Sequence, residues 1–449
     1  MNSIEEFKQK TKPDEYYLKL HEDLTNINKT LNAFNNIIDT QKITSFPFSV
    51  KDNVCVKGIE TTASSKILKG YIPPFNATVI DKLNEAGLSF IGKTNMDEFG
   101  FGSFGTNTQN IARNPFNEQY VAGGSSSGAA IATSILRYHV AIAESTGGSI
   151  STPAAFCGVV GFTPTYGSVS RYGLIDYSNS LDKIGVMARK AEDILYTYNL
   201  IKGQDKYDST CVGKDYTSDI KKKIILIEQL VTGLNPEVER EFMRFVDLLE
   251  KKGYKIERRS LEFIDKAIPS YYIIAMAEAS TNLARYTGFK YGYKNEELLQ
   301  NYNTFFTNAR KMFGNEAKRR IVLGTFVRSA SVKELYYSKA LKVRSLLIKE
   351  LKSLLKEGFI LSPVMPIKTP KFEDVAKMSP LEVYKSDILT IPPNLCGFPH
   401  ISFPYAYSEG MPLGAQLVTE HWNDYALIKF VEDWESSFKY NFKYNIGAL

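Results

Sequence analysis

The sequence predicts an α/β fold: one domain over residues 1–449, with a mixed central β-sheet covered by helices on both faces. Three observations carry that expectation. Short runs rich in Ile, Val and Phe alternate with longer amphipathic runs, the pattern that sets helices against a parallel or mixed sheet. The 449 residues are 43% hydrophobic and 23% charged, which supplies a large buried core and does not fit a disordered chain. No repeat or low-complexity linker divides the chain.

Composition also excludes several classes. No stretch approaches the roughly 18 consecutive apolar residues of a spanning helix. The start, "MNSIEEFKQKTKPDEYY", mixes acids and bases without an apolar run, unlike a secretory or transit leader. A cytoplasmic protein without membrane contact is expected. Cys55, Cys157, Cys211 and Cys396 lie far apart with no CxxC pair, which argues against a zinc site or a disulfide framework. A net charge of +6 is mild for this length, and Lys and Arg are interspersed with acids, so nucleic-acid proximity is permitted but not indicated.

Taken in chain order, "FPFSV" reads as a strand leading into Lys51 and the polar pair Asp52–Asn53. In "NATVIDKLNEAGLSFIGKTN", Asn76 can cap a helix whose apolar face is Val79, Ile80 and Leu83; Gly87 can end it, and "LSFIG" is a buried strand. "KKKIILIEQL" is a strand, "NPEVEREFMRFVDLLEKKG" a helix with Asn235 at its cap and Pro236 at its first turn, and "YKIERRSLEF" a returning strand. Residues from about 270 to 358 are mainly helical in periodicity, and strand-like segments return at "FILSPVMP" and "ISFPYAYSEG".

"GLSFIGKT", residues 87 to 94, matches the phosphate-loop pattern GxxxxGK[ST]. Its context does not fit, because the four intervening residues look like the strand itself instead of a loop with free N–H groups. The Gly/Ser stretches "AGGSSSGAAIATS" and "AESTGGSISTPAAFCGVVGF" could be a flexible linker or an active-site turn. Each is followed by small apolar residues, as in tightly packed segments, and glycines beside a serine let N–H groups converge on one point. His21, His139, His400 and His421 offer no base in a nucleophile-elbow context. Lysine is the other base able to serve a serine, provided burial moves its pKa from about 10.4 towards neutrality.

Together, "FSVKDN", "AGGSSSGAA" and "STGGSISTPAAFCGVVGFTPTYG" resemble, in order, the lysine, first-serine and second-serine motifs of the amidase signature family. Ser125 and Ser149 stand 24 positions apart, as is usual in that family. The resemblance implies the amidase signature fold, with Ser149 as nucleophile, Ser125 as the bridging serine held through a cis Gly124–Ser125 peptide, and Lys51 as base. It places the oxyanion hole at the N–H groups of Thr146, Gly147 and Gly148.

Flanking segments such as "GKTNMDEFGFGSFGTNT" and "SDILTIPPNLCGFP" are most similar to the branch of the family that supplies glutaminase subunits to tRNA-dependent amidotransferases. By that likeness Tyr271, Arg320 and Asp387 hold glutamine. No cofactor is expected in this chain. Ammonia would pass to the second subunit of the amidotransferase, which uses ATP and Mg on misacylated tRNA, with a small third subunit completing the assembly. A stand-alone amidase and a non-catalytic scaffold are the alternative readings. Residues 1–45 would be a shortened N-terminal helical segment.

Two positions depart from the family: Ser145 stands where it usually has Asp, and Ser151 where it usually has Arg. Losing both together avoids leaving one buried charge unpaired. Ser145→Asp or Ser151→Arg alone is therefore expected to cost more stability or activity than the two combined. Equal damage in all three variants, read by thermal melting and turnover, would remove the pairing.

Overall fold

The computed structural model describes residues 3–10, 13–39, 45–294 and 301–446. Its centre is an eleven-stranded mixed sheet: β1 (Phe34–Ile37), β2 (Pro47–Lys51), β3 (Ser89–Thr94), β4 (Val140–Ser145), β5 (Val160–Thr163), β6 (Lys183–Ala188), β7 (Lys223–Ile227), β8 (Lys255–Arg259), β9 (Phe359–Pro363), β10 (His400–Ser408) and β11 (Met411–Val418). The order across the sheet is β1-β3-β2-β4-β6-β5-β10-β11-β9-β7-β8. β2 runs parallel to both β3 and β4, and β7 parallel to β8 and β9; the remaining neighbours are antiparallel. Helices flank this sheet, so its central strands are apolar on both faces: all six residues of β4, "VAIAES", are buried.

The helix Pro236–Lys251 begins as its sequence dictates, with the Asn235 side chain accepting from the Glu237 and Val238 N–H groups. The helix Thr78–Glu85 does not. Asn76 lies one residue too early, with Ala77 at the cap; its carboxamide oxygen accepts from Lys57 N and its amide donates to Asp81. Between residues 267 and 357 the described chain forms four α-helices, Ala267–Asn282, Tyr302–Lys311, Asn315–Arg328 and Tyr337–Glu357, and one 3-10 turn, Leu283–Arg285, while 295–300 lie outside the described residues. Helices Ser3–Lys10 and Pro13–Leu31 occupy most of the N-terminal segment.

The Gly/Ser stretch at 122–134 is packed and not a tether. The helix Ser127–Ile135 is buried at every residue. A side chain at Gly128 would collide with the backbone of Ala33 and Asn95, so its small residues are what let a helix approach the sheet this closely. All four cysteines are free and buried. Among the described residues no helix is long and apolar enough to cross a membrane.

The look-alike phosphate loop is a strand. Gly92, Lys93 and Thr94 are buried within β3, and Lys93 Nζ donates to the carbonyl of Val54 and to Thr61 Oγ1, with Asp52 Oδ1 at 3.8 Å. Lys93→Met should therefore destabilise the chain by about 3 kcal/mol in denaturant melts, by leaving the Asp52 carboxylate unpaired. ATP should leave the melting temperature of the unaltered chain unchanged. A rise with ATP would restore the nucleotide reading.

Candidate active site

Three parts of the sheet and its connections meet at one place. Lys51 ends β2, Glu144 and Ser145 end β4, and the turn of residues 146–150 leads from β4 into the helix Ser151–Phe156. The loop before the helix Ser127–Ile135 carries Ser125, and the Gly124–Ser125 peptide is cis. Lys51 Nζ, fully buried, donates to Ser125 Oγ at 2.8 Å, to the carbonyl of Glu144 at 2.9 Å and to Glu144 Oε2 at 2.9 Å. The Ser126 N–H donates to the Ser149 carbonyl at 3.2 Å and so ties the two serine segments together.

Ser149 opens onto a cavity of about 20 Å³ lined also by Gly124, Gly147, Gly148, Ser103, Tyr271, Tyr272, Arg320 and Asp387. The N–H groups of Thr146, Gly147 and Gly148 donate to no protein acceptor among the described residues. Free donors beside a serine are what a developing oxyanion requires. A side chain at Gly147 would strike the Tyr271 hydroxyl, so only glycine admits that tyrosine over the turn. The inner cavity holds about one water. It shares Gly102, Ser103 and Arg320 with an outer cavity of about 270 Å³ lined by Glu316, Arg319 and Tyr384. A larger hollow of about 740 Å³ near Phe289 and Tyr302 is lined by no serine or carboxylate among the described residues.

The expected substrate ligands also reach this cavity. Arg320, on the helix Asn315–Arg328, is buried among the rings of Phe101, Tyr177, Tyr272 and Tyr384 and donates from Nε to Glu316 Oε1 at 2.8 Å and from a terminal nitrogen to the Tyr177 hydroxyl. Asp387 Oδ2 accepts from Ser103 Oγ at 2.8 Å and from the Tyr272 hydroxyl at 2.7 Å, while no donor reaches Oδ1 among the described residues. Thus Ser149, Gly147, Gly148, Tyr271, Arg320 and Asp387 line one cavity, with Lys51 and Ser125 behind it.

The histidines take no part in this cavity. His139 is buried beside Ser49 Oγ, and His400 is buried beside the Phe398 carbonyl and Asn394. Sequence reasoning missed Glu144, although a carboxylate ending the apolar run "VAIAE" was a legible signal. It also missed Ser103, Tyr177 and Tyr272, which as isolated residues carry none. Ser145 and Ser151 are both fully buried. Ser145 Oγ donates to Asn394 Oδ1, and Ser145 stands opposite Lys183 in the ladder, where burial pushes the lysine amine down to about 7, while Ser151 Oγ has no partner among the described residues.

Three comparisons bear on this geometry. The family profile described as Amidase matches residues 19–428. A glutamyl-tRNA(Gln) amidotransferase subunit of Sulfolobus acidocaldarius is 40% identical over 97% of this chain and 96% of its own length. The protein of the same name from Halothermothrix orenii is 43% identical over 85% of this chain and 82% of its own. The crystal structure of the same amidotransferase subunit from Thermotoga maritima superposes with a TM-score of 0.83 at 33% identity, covering 98% of this chain and 95% of that one. A 6-aminohexanoate cyclic dimer hydrolase shares the fold, with a TM-score of 0.83 at 20% identity over 96% of this chain and 95% of its own.

Burial pushes the Asp387 carboxyl up to about 6, against the opposing pull of the Tyr272 and Ser103 hydrogen bonds and the Arg320 charge. A carboxyl that binds its proton more tightly when folded favours folding at low pH, and that contribution is lost as pH rises from about 4 through about 6. Asp387→Asn should match the parent chain near pH 4 and exceed it by about 2 kcal/mol at pH 7 in denaturant melts.

Proposed function

The chain belongs to the Amidase family, and on that premise we propose that it is the glutamine-hydrolysing subunit of a tRNA-dependent amidotransferase. One observation carries the reading: a serine with free N–H donors around it shares a cavity with an arginine and an aspartate, the two charges that an α-amino acid would need. Relatives that carry the amidotransferase name and align along nearly their full length support the same assignment.

In this mechanism the guanidinium of Arg320 binds the glutamine α-carboxylate and Asp387 its α-ammonium, with Tyr271 packing against the bound side chain. That presents the side-chain amide to Ser149. Lys51 as a neutral amine accepts the Ser125 proton while Ser125 accepts that of Ser149, and Ser149 Oγ bonds to the amide carbon. The developing oxyanion faces the N–H groups of Thr146, Gly147 and Gly148. When the C–N bond breaks, the proton returns from Lys51 through Ser125 to the leaving nitrogen, which departs as ammonia. Water then opens the glutamyl ester by the same relay.

The ammonia passes to the second subunit of the amidotransferase, which activates misacylated Glu-tRNA(Gln), Asp-tRNA(Asn) or both with ATP and Mg, and a small third subunit holds the assembly together. ATP and Mg act at the partner and not in this chain. The whole complex would work in the cytoplasm.

The test is ammonia release from glutamine by the chain co-purified with its partners, with and without misacylated tRNA and ATP. Ser149→Ala should lower the rate by at least about 10³-fold. Arg320→Lys should raise KM for glutamine about 10- to 100-fold, since it removes the bidentate contact. If the chain cleaves simple amides without any partner and leaves glutamine untouched, the assignment fails.

A further inference from the structure

Lys51 has more company than a serine relay needs. An ammonium carries three donors and no acceptor, and Lys51 Nζ has three acceptors: Ser125 Oγ, the Glu144 carbonyl and Glu144 Oε2. Both side chains of the Lys51–Glu144 pair are almost fully buried, at 0% and 1% exposure. Glu144 Oε2 also accepts from Asn53 Nδ2 at 3.2 Å. The arrangement satisfies a charged lysine beside a charged carboxylate completely.

The next link bears on where protons sit. Thr146 Oγ1 lies 2.7 Å from Glu144 Oε1 and 2.8 Å from Asp182 Oδ1. A hydroxyl has one proton, so it can donate to only one of the two acids, and the other contact needs a proton on the acid itself. Burial and then the neighbouring Glu144 charge raise the Asp182 carboxyl well above its usual range. Asp182 is therefore the acid that keeps its proton and donates to Thr146, Thr146 donates to Glu144, and Glu144 stays anionic.

Resting on the reading of Lys51 as base, we infer that Glu144 is a positioning residue that aims Lys51 Nζ at Ser125 and holds it as an ammonium in the resting site. Lys51 can act as base only after losing that proton, and the Glu144 carboxylate held against Nζ opposes the loss. The other titratable groups around the pair are Asp97 from the loop after β3, Tyr177 and Asp182 from the segment before β6, Lys183 on β6, and the Lys93–Asp52 pair on β3 and at the end of β2. Burial pushes Asp97 up to about 7, against the opposing pull of the Asn107 and Gly105 N–H groups and of the Lys51 and Arg320 charges. Glu144 alone among these groups hydrogen-bonds to Lys51 Nζ within the described residues, and it does so twice.

Two measurements separate this inference from the functional reading. The first is the pH profile of kcat/KM for glutamine hydrolysis in the assembled complex, for the parent chain, Glu144→Gln and Glu144→Asp. In Glu144→Gln the acid limb should move at least about one pH unit lower, a tenfold change in the competent fraction. KM should stay within about twofold, because Glu144 does not line the substrate cavity. Glu144→Asp should restore most of the shift. An unmoved limb in a complex that depends on Ser149 overturns the inference.

The second needs no activity: thermal melting of the full chain in a cycle of Lys51→Met and Glu144→Gln. Each single change should lower Tm by about 5 to 10 °C by orphaning a buried charge, and the double change should lower it less than either. Additive losses, or a double variant that does not fold, overturn the inference. Coupling without glutamine hydrolysis leaves it standing and sinks the functional reading alone.

Discussion

A cation taken out of water must meet acceptors on every side, and the site is assembled around the ones that Lys51 finds. They come from different parts of the chain: the Glu144 carbonyl and carboxylate from the end of β4, and the Ser125 hydroxyl from the loop that opens the helix Ser127–Ile135. β2 and β4 are adjacent and parallel, so the ends of both strands emerge on the same edge of the sheet. Placing the serine loop against those ends requires the small-residue helix to lie almost on the sheet, and hence glycine and alanine where a longer side chain would hold it away. Packing and polar contact are in this sense one constraint, because a looser core would separate the lysine from the hydroxyl to which it donates.

The substrate side follows different physics. Arg320 keeps its charge in a buried position because four aromatic rings and the Glu316 carboxylate surround it, which fixes the guanidinium plane before any ligand arrives. Preorganisation of that kind lowers the cost of ordering whatever anion meets the guanidinium. The inner cavity, of about 20 Å³, joins a wider one of about 270 Å³ through Gly102, Ser103 and Arg320.

Much of this was legible in the chain. The strand leading into Lys51, the capped helix after Asn235 and the strand "LSFIG" that excludes a phosphate loop follow from periodicity and capping alone. The ordered lysine and serine motifs fall on residues that the fold brings together, Lys51 against Ser125 and the Ser126 N–H on the Ser149 carbonyl. The strands β4, β5 and β6 were harder, because full burial on both faces erases the alternation that marks a strand, and "VAIAES" reads equally as a helix fragment. Asn76 misled for a local reason: its carboxamide is drawn to Lys57 and Asp81, and the helix starts one residue later without it. Glu144 and Asp182 were invisible as partners, since nothing in spacing tells that Thr146 stands between them.

The four cysteines have a consequence for chemical selectivity. All are buried, and burial pushes the Cys55 and Cys211 thiols up to about 11 and that of Cys396 to about 12, with Cys157 higher still. Alkylation proceeds through the thiolate, which none of them supplies near neutral pH. Electrophiles that trap an activated cysteine therefore find no target in this chain, whereas a reagent directed at a hydroxyl must reach Ser149 on the inner cavity of about 20 Å³. Buried thiols of this kind make the chain indifferent to the whole thiol-directed class of covalent poison.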